Sequence, residues 1–162
     1  MMNHLMIDIE TLGVKELPAI LSIGWCLFDS EILGSGEVFP VIEGNIDGET
    51  VMWWLKQSDE ARLAQARAPR TKTLTECLES LSVFIKDSDI STVWCKGASF
   101  DFRILHQWFD ELGGEPPWHY GQERCLRSFK EISQVKKSHV PHSAKHDAIA
   151  QAEQVISVWQ AQ

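Results

Sequence analysis

The sequence holds no run of apolar residues long enough to span a membrane, which excludes a helical membrane protein. It has no C-x-x-C pair. Cys26, Cys77, Cys95 and Cys125 are widely spaced, so a zinc knuckle is excluded and the four read as free thiols packed in a core in a reducing compartment. The N-terminus lacks a basic stretch followed by an apolar core and a cleavage site, so the expected location is the cytoplasm. Positive charge is also scarce, with 15 Lys and Arg against 23 Asp and Glu and a net charge of −8. Such a chain does not wrap nucleic acid with a broadly basic surface, because phosphate affinity comes from Lys and Arg. The acidic balance does not exclude an enzyme: acids can be metal ligands, and basic residues can gather around one cleft. Internal repeats and low-complexity segments are absent, and 162 residues suit one domain spanning 1–162.

Alternation and turn signals divide the chain. Leu5, Met6, Ile7 and Ile9 predict a strand that ends near Gly13, and residues 19–28 a second strand. Asp29-Ser30 turns into a third strand over residues 32–41, giving an antiparallel meander. Residues 45–50 read as a turn and 51–56 as a short helix carrying Trp53 and Trp54. Ser58 starts another helix that stops before Pro69. Thr73 to Glu76 fits a capping box, followed by Leu74, Cys77, Leu78, Leu81, Phe84 and Ile85 at helical spacing. A short strand over 91–95, a small-residue turn and a helix beginning near Asp101 come next. Gly113-Gly114 and Pro116-Pro117 end that helix. Residues 124–132 read as a strand-to-helix region and 136–141 as a basic loop. A final helix from Ser143 or Lys145 carries Ala148, Ala152, Val155, Ile156 and Trp159 on one side. This order predicts an α/β fold: a mixed sheet, antiparallel meander plus parallel strands, flanked by helices.

Two acids interrupt the first strand. Side chains alternate along a strand, so Asp8 and Glu10 face the same side and their carboxylates repel. A solvated edge strand relieves the repulsion, and so does a divalent cation such as Mg²⁺ or Mn²⁺ held by hard oxygen ligands. Asp101 and Asp147, each near the start of a helix, add two carboxylates to a possible all-oxygen cage. Two ions roughly 3.5–4 Å apart in such a cage clamp a phosphodiester. His142 precedes Asp147 by five positions and would stand on a loop beside the cage, with a ring suited to removing a proton from water. Trp53 or Trp54 offers a ring for base stacking while the other packs inward. Lys96, Arg103, Lys136, Lys137 and Lys145 form a candidate basic rim for phosphates, with the pair Lys136-Lys137 on the loop before His142 its strongest part and Lys137 the candidate substrate contact.

Asp8-Ile9-Glu10-Thr11, Ser99-Phe100-Asp101 and the run from His142 to Asp147 resemble the three exonuclease motifs of the DEDDh branch of the DnaQ-like 3′→5′ exonucleases, which share the RNase H-like fold. Within that branch the segments 6–13, 53–62 and 94–102 are similar to the group that holds phage DexA-type and RNase AS-like enzymes. The resemblance implies Asp8, Glu10, Asp101 and Asp147 as ligands of two Mg²⁺ or Mn²⁺ ions and His142 as general base. It implies Thr11 in polar contact with the terminal nucleotide and Leu12 as a wedge against its base. The implied reaction is hydrolysis from single-stranded 3′ ends with release of nucleoside 5′-monophosphates. DNA is favoured slightly over RNA, and a non-catalytic nucleic-acid-binding module is the reading from a different class. The resemblance further implies a homodimer and fits a phage or prophage context. His146 is a second imidazole near the assigned base, and only the spacing to Asp147 selects His142.

Overall fold

The computed structural model describes residues 2–129 and 142–161. Five strands, β1 (Asn3–Thr11), β2 (Ile20–Phe28), β3 (Ile32–Val38), β4 (Ile90–Cys95) and β5 (Glu123–Cys125), form one sheet in the order β3-β2-β1-β4-β5. The β1–β2 and β2–β3 pairs are antiparallel, whereas β1–β4 and β4–β5 are parallel. The expected mixed sheet is therefore present, with β1 at its centre. β3 ends at Val38, short of the predicted Val41. Pro40, which has no backbone N–H to donate, keeps only an isolated bridge to Lys72. The helices are α1 (Gly48–Leu55), α2 (Asp59–Arg67), α3 (Leu74–Asp87), α4 (Asp101–Glu111) and α5 (Ala144–Gln160).

Local chemistry accounts for most helix starts. Thr73 and Glu76 complete the capping box of α3, and Ser58 accepts the Ala61 N–H at the head of α2. α1 begins earlier than its apolar pattern predicts. Asp47 accepts the Thr50 N–H at 3.0 Å, so the cap rather than the first apolar residue, Val51, sets the boundary. After β5 the chain makes one 3₁₀ turn, Leu126–Ser128. The remainder of the 124–132 region and the basic loop 136–141 lie outside the described residues.

The sheet is covered on both faces. Leu5, Ile7 and Ile9 point into one core with Leu74, Leu78 and Leu81 of α3 and Phe102, Leu105 and Phe109 of α4. The alternate residue Met6 points into a second core with Ala148, Ala152, Val155 and Ile156 of α5. Full burial of each large apolar side chain stabilises the fold by roughly 1.5–3 kcal/mol. The same alternation puts Asp8 and Glu10 on the α5 side of the sheet, at the end of the strand where the apolar core stops.

Candidate active site

Asp8 lies opposite Gly24 in the β1–β2 register. A Cβ on Gly24 would overlap the Ala144–Lys145 peptide, so the first turn of α5 rests directly on the strand. The buried small residues Ala144, Ala148 and Ala152 continue that close approach at four-residue spacing. It carries Asp147 over β1, and one oxygen from each of Asp8, Glu10 and Asp147 lies within 4.8 Å of the other two. Asp101 enters from α4. Gly97 adopts φ +150°, a conformation that favours glycine, and its carbonyl accepts the N–H groups of Phe100 and Asp101 at 2.7 and 3.1 Å. That turn starts α4 with Asp101, whose Oδ1 accepts the Ile9 N–H at 3.3 Å. Asp101 thus sits beside the three-carboxylate cluster, tied to the strand residue between Asp8 and Glu10.

All four acids resist ionisation. Burial raises Asp8 well above the usual carboxylate range, with the charges of Asp101, Glu10 and Asp147 adding to it and a hydrogen bond from Gln151 opposing it. Burial, followed by Asp147, Glu37 and Asp101, pushes Glu10 up to about 8. Asp101 is raised to about 7 by burial, against the donated N–H of Ile9 and the charge of Arg127. Asp147 is raised to about 6 by burial, with Lys96 opposing. Among the described residues the ion pairs are Arg62–Asp59 and His106–Glu123, neither of which neutralises these acids. A set of converging, partly to fully buried carboxylates with no Lys or Arg ion pair among the described residues suits a hard divalent cation such as Mg²⁺ or Mn²⁺.

The acids line a cleft of about 790 Å³. Thr11, Asp47, Glu49, Thr50 and Trp53 form one wall, and Lys96, Phe100 and Arg127 also border the space, as does His142. Trp53 is 43% exposed, while Trp54 is buried with its indole N–H donated to the Thr11 carbonyl at 2.8 Å. Both rings meet His142 edge to face, with centroids at 4.6 and 5.9 Å. His142 has φ +51°, an uncommon conformation for a non-glycine residue and one concentrated at functional positions. The Thr11 hydroxyl donates to the Gly13 carbonyl. Leu12 packs against the Leu21–Trp54–Ala61 cluster and is not among the cleft-lining residues. His146 bonds Ser143 at the head of α5. Lys137 lies outside the described residues.

Three residues at or near the site escape a motif reading. Gln151, one turn after Asp147, donates to Asp8 Oδ1 at 2.8 Å, and its four-residue spacing from Asp147 is the only signal the sequence offers. Glu37 acts electrostatically on both Glu10 and Asp147 because β3 pairs it with Gly24. Arg127 reaches the cleft from the turn after β5, where no local pattern marks it.

A family model described as the 3′-5′ exoribonuclease Rv2179c-like domain matches residues 3–161. An exodeoxyribonuclease of Enterobacteria phage T4 is 28% identical over 123 residues, an alignment covering 64% of this chain and 54% of that protein. The chain therefore spans about half the length of that relative. The nuclease domain of 3′hExo, a DEDDh family member solved bound to rAMP, has the same fold with a TM-score of 0.71 at 13% identity, covering 98% of this chain and 92% of that one. Exonuclease X, solved with 5′ overhanging duplex DNA, superposes with a TM-score of 0.54 at 17% identity over 98% and 92% of the two chains. At those identities the likeness is one of fold.

Proposed function

The chain belongs to the 3′-5′ exoribonuclease Rv2179c-like domain family, and from that premise we propose that it is a divalent-metal-dependent 3′→5′ exonuclease. In this reading residues 1–162 act as a single catalytic domain on single-stranded 3′ ends and release nucleoside 5′-monophosphates. The observation that carries it is the convergence of Asp8, Glu10 and Asp147 within 4.8 Å, with Asp101 bonded to the strand between the first two. A non-catalytic binding module has no use for buried carboxylates that repel phosphate.

Asp8, Glu10, Asp101 and Asp147 would hold two Mg²⁺ or Mn²⁺ ions. Bound there, the ions supply Lewis acidity, lowering the pKa of the attacking water and offsetting charge on the leaving oxygen. His142 accepts the proton that the water loses, and its T-shaped contacts with Trp53 and Trp54 hold its ring in place. Attack at phosphorus breaks the bond to the 3′-oxygen of the preceding nucleotide, which leaves as an oxyanion and takes a proton from solvent to become the new 3′-hydroxyl. Trp53, the half-exposed ring on the wall, stacks the terminal base, and Thr11 borders the same nucleotide. Asp47 and Glu49 give that wall the wrong sign for phosphate, so the trailing phosphates pass Lys96 and Arg127.

DNA is our first choice of substrate, in line with the T4 relative's description; RNA is the second reading, favoured by the wording of the family description. Free cysteines suit a cytoplasmic setting. No helix among the described residues is long and apolar enough to cross a membrane. Exposed Met52 and Leu55 on α1 offer apolar surface for a homodimer. Matched DNA and RNA oligonucleotides, labelled at the 5′ end and incubated with Mg²⁺, Mn²⁺ or EDTA, test the proposal. A ladder shortening from the 3′ end, abolished by EDTA and by Asp8→Ala, is expected. Undiminished degradation in EDTA would refute the metal-dependent reading.

A further inference from the structure

Gln151 is 4% exposed and lies on α5 one turn beyond Asp147, so both side chains project toward β1. Its Nε2 donates to Asp8 Oδ1 at 2.8 Å, while its Oε1 is buried and has no hydrogen-bond partner among the described residues. A carboxylate that ligates a cation is ionised and only accepts, so with an ion in the site the amide nitrogen is the end that must face Asp8 and the amide oxygen is the end left over. A buried unpaired carbonyl destabilises a fold by about 1–3 kcal/mol. An apolar side chain of similar length would fill the same volume without that penalty. A polar residue kept at such a position points to work done by its paired end.

We propose that Gln151 is a positioning residue of the metal centre. Its amide takes one oxygen of Asp8 and so fixes the carboxylate's rotation, leaving the other oxygen for the cluster formed with Glu10 and Asp147. The inference rests on reading those acids as a divalent-metal site. It assigns Gln151 no contact with substrate. Partners of this kind, which bind a ligand rather than the ion, typically change metal affinity by about 10–100-fold when removed. The unpaired Oε1 adds a second expectation: the metal-free fold does not depend on the amide.

The test uses Mn²⁺ binding without substrate, measured by titration calorimetry, beside thermal unfolding of the metal-free protein. Gln151→Met keeps the length and removes both polar ends; Gln151→Asn keeps the amide but falls one methylene short of Asp8. Both variants are expected to bind Mn²⁺ about 10–100-fold more weakly, with the metal-free unfolding temperature of Gln151→Met equal to or above that of the parent. Two results overturn the proposal: parental Mn²⁺ affinity in Gln151→Met, or a large loss of metal-free stability in it, which would make the amide a structural bond. Failure of the underlying reading looks different. There the unsubstituted protein itself binds no more Mn²⁺ than Asp8→Ala.

Discussion

Gly24 and Ala144 meet backbone to backbone, with no room for a Cβ on the glycine. Because Gly24 is the register partner of Asp8, this one contact sets how far α5, and with it Asp147, stands from β1. Gly24→Ala is expected to push α5 away, destabilising the protein by about 1–3 kcal/mol and weakening Mn²⁺ binding together. Gly34→Ala is the control, since nothing lies within 4 Å of its added Cβ. Equal unfolding temperatures for the two variants would contradict the packing argument.

Removing a carboxylate is expected to move stability and activity in opposite directions. Glu10 is buried among like charges, so Glu10→Gln relieves repulsion and raises the metal-free unfolding temperature at pH 8. If Glu10 is a metal ligand, as proposed, the same change is expected to lower kcat by about 10³ or more, equivalent to about 4 kcal/mol of transition-state stabilisation. A variant that is both less stable and fully active would count against the site.

The pH dependence of metal-free stability follows from the raised acids. Glu10 titrates at about 8 in the fold, held up by burial first, against 4.5 as its ordinary value. Between those values the folded state keeps a proton that the unfolded state has released, so stability falls as pH rises. Asp101, at about 7, and Asp147, at about 6, contribute with the same sign over the lower part of that window. Differential scanning calorimetry in EDTA is expected to show the unfolding temperature dropping from about pH 5 to about pH 8. Saturating Mg²⁺ is expected to raise it more at the upper end, where binding displaces fewer protons. A metal-free unfolding temperature that climbs over this range would be the wrong sign.

His142 and Trp53 should separate kinetically. His142→Ala is expected to lower kcat by about 10²–10⁴ with little change in KM, as for loss of a general base. Trp53→Ala removes both a stacking surface, worth about 1–3 kcal/mol per base, and a ring against His142. It should therefore raise KM as well as lower kcat, with Trp53→Phe between the two. Parental kinetics in His142→Ala alongside a dead His146→Ala would transfer the role of base.

Lys96 and Arg127 are the Lys and Arg side chains lining the cleft among the described residues. Each phosphate contact on a single strand contributes a slope of about −0.7 to the dependence of log affinity on log salt. Lys96→Gln and Arg127→Gln should each flatten the slope measured for a single-stranded oligonucleotide by about that amount. Unchanged slopes would place the strand elsewhere.

Much of this protein is written in local periodicity. The alternation of Leu5, Ile7 and Ile9 with Met6, Asp8 and Glu10 determines a strand buried on both sides whose acids share one face. The capping box at Thr73 and the glycine turn before Asp101 likewise depend only on near neighbours. The motifs at 8–11, 99–101 and 142–147 carry the family resemblance for the same reason. Tertiary structure decided what those faces meet. Pairing of β3 through Gly24 brings Glu37 toward the acids, and the turn after β5 delivers Arg127. The passage of α5 over Gly24 carries Asp147 and Gln151 to Asp8. Such placements depend on strand register and helix packing between residues far apart in the chain, as Asp8 and Gln151 are. Gly24 and Arg127 have no local pattern that reports them, and Gln151 has only its spacing from Asp147.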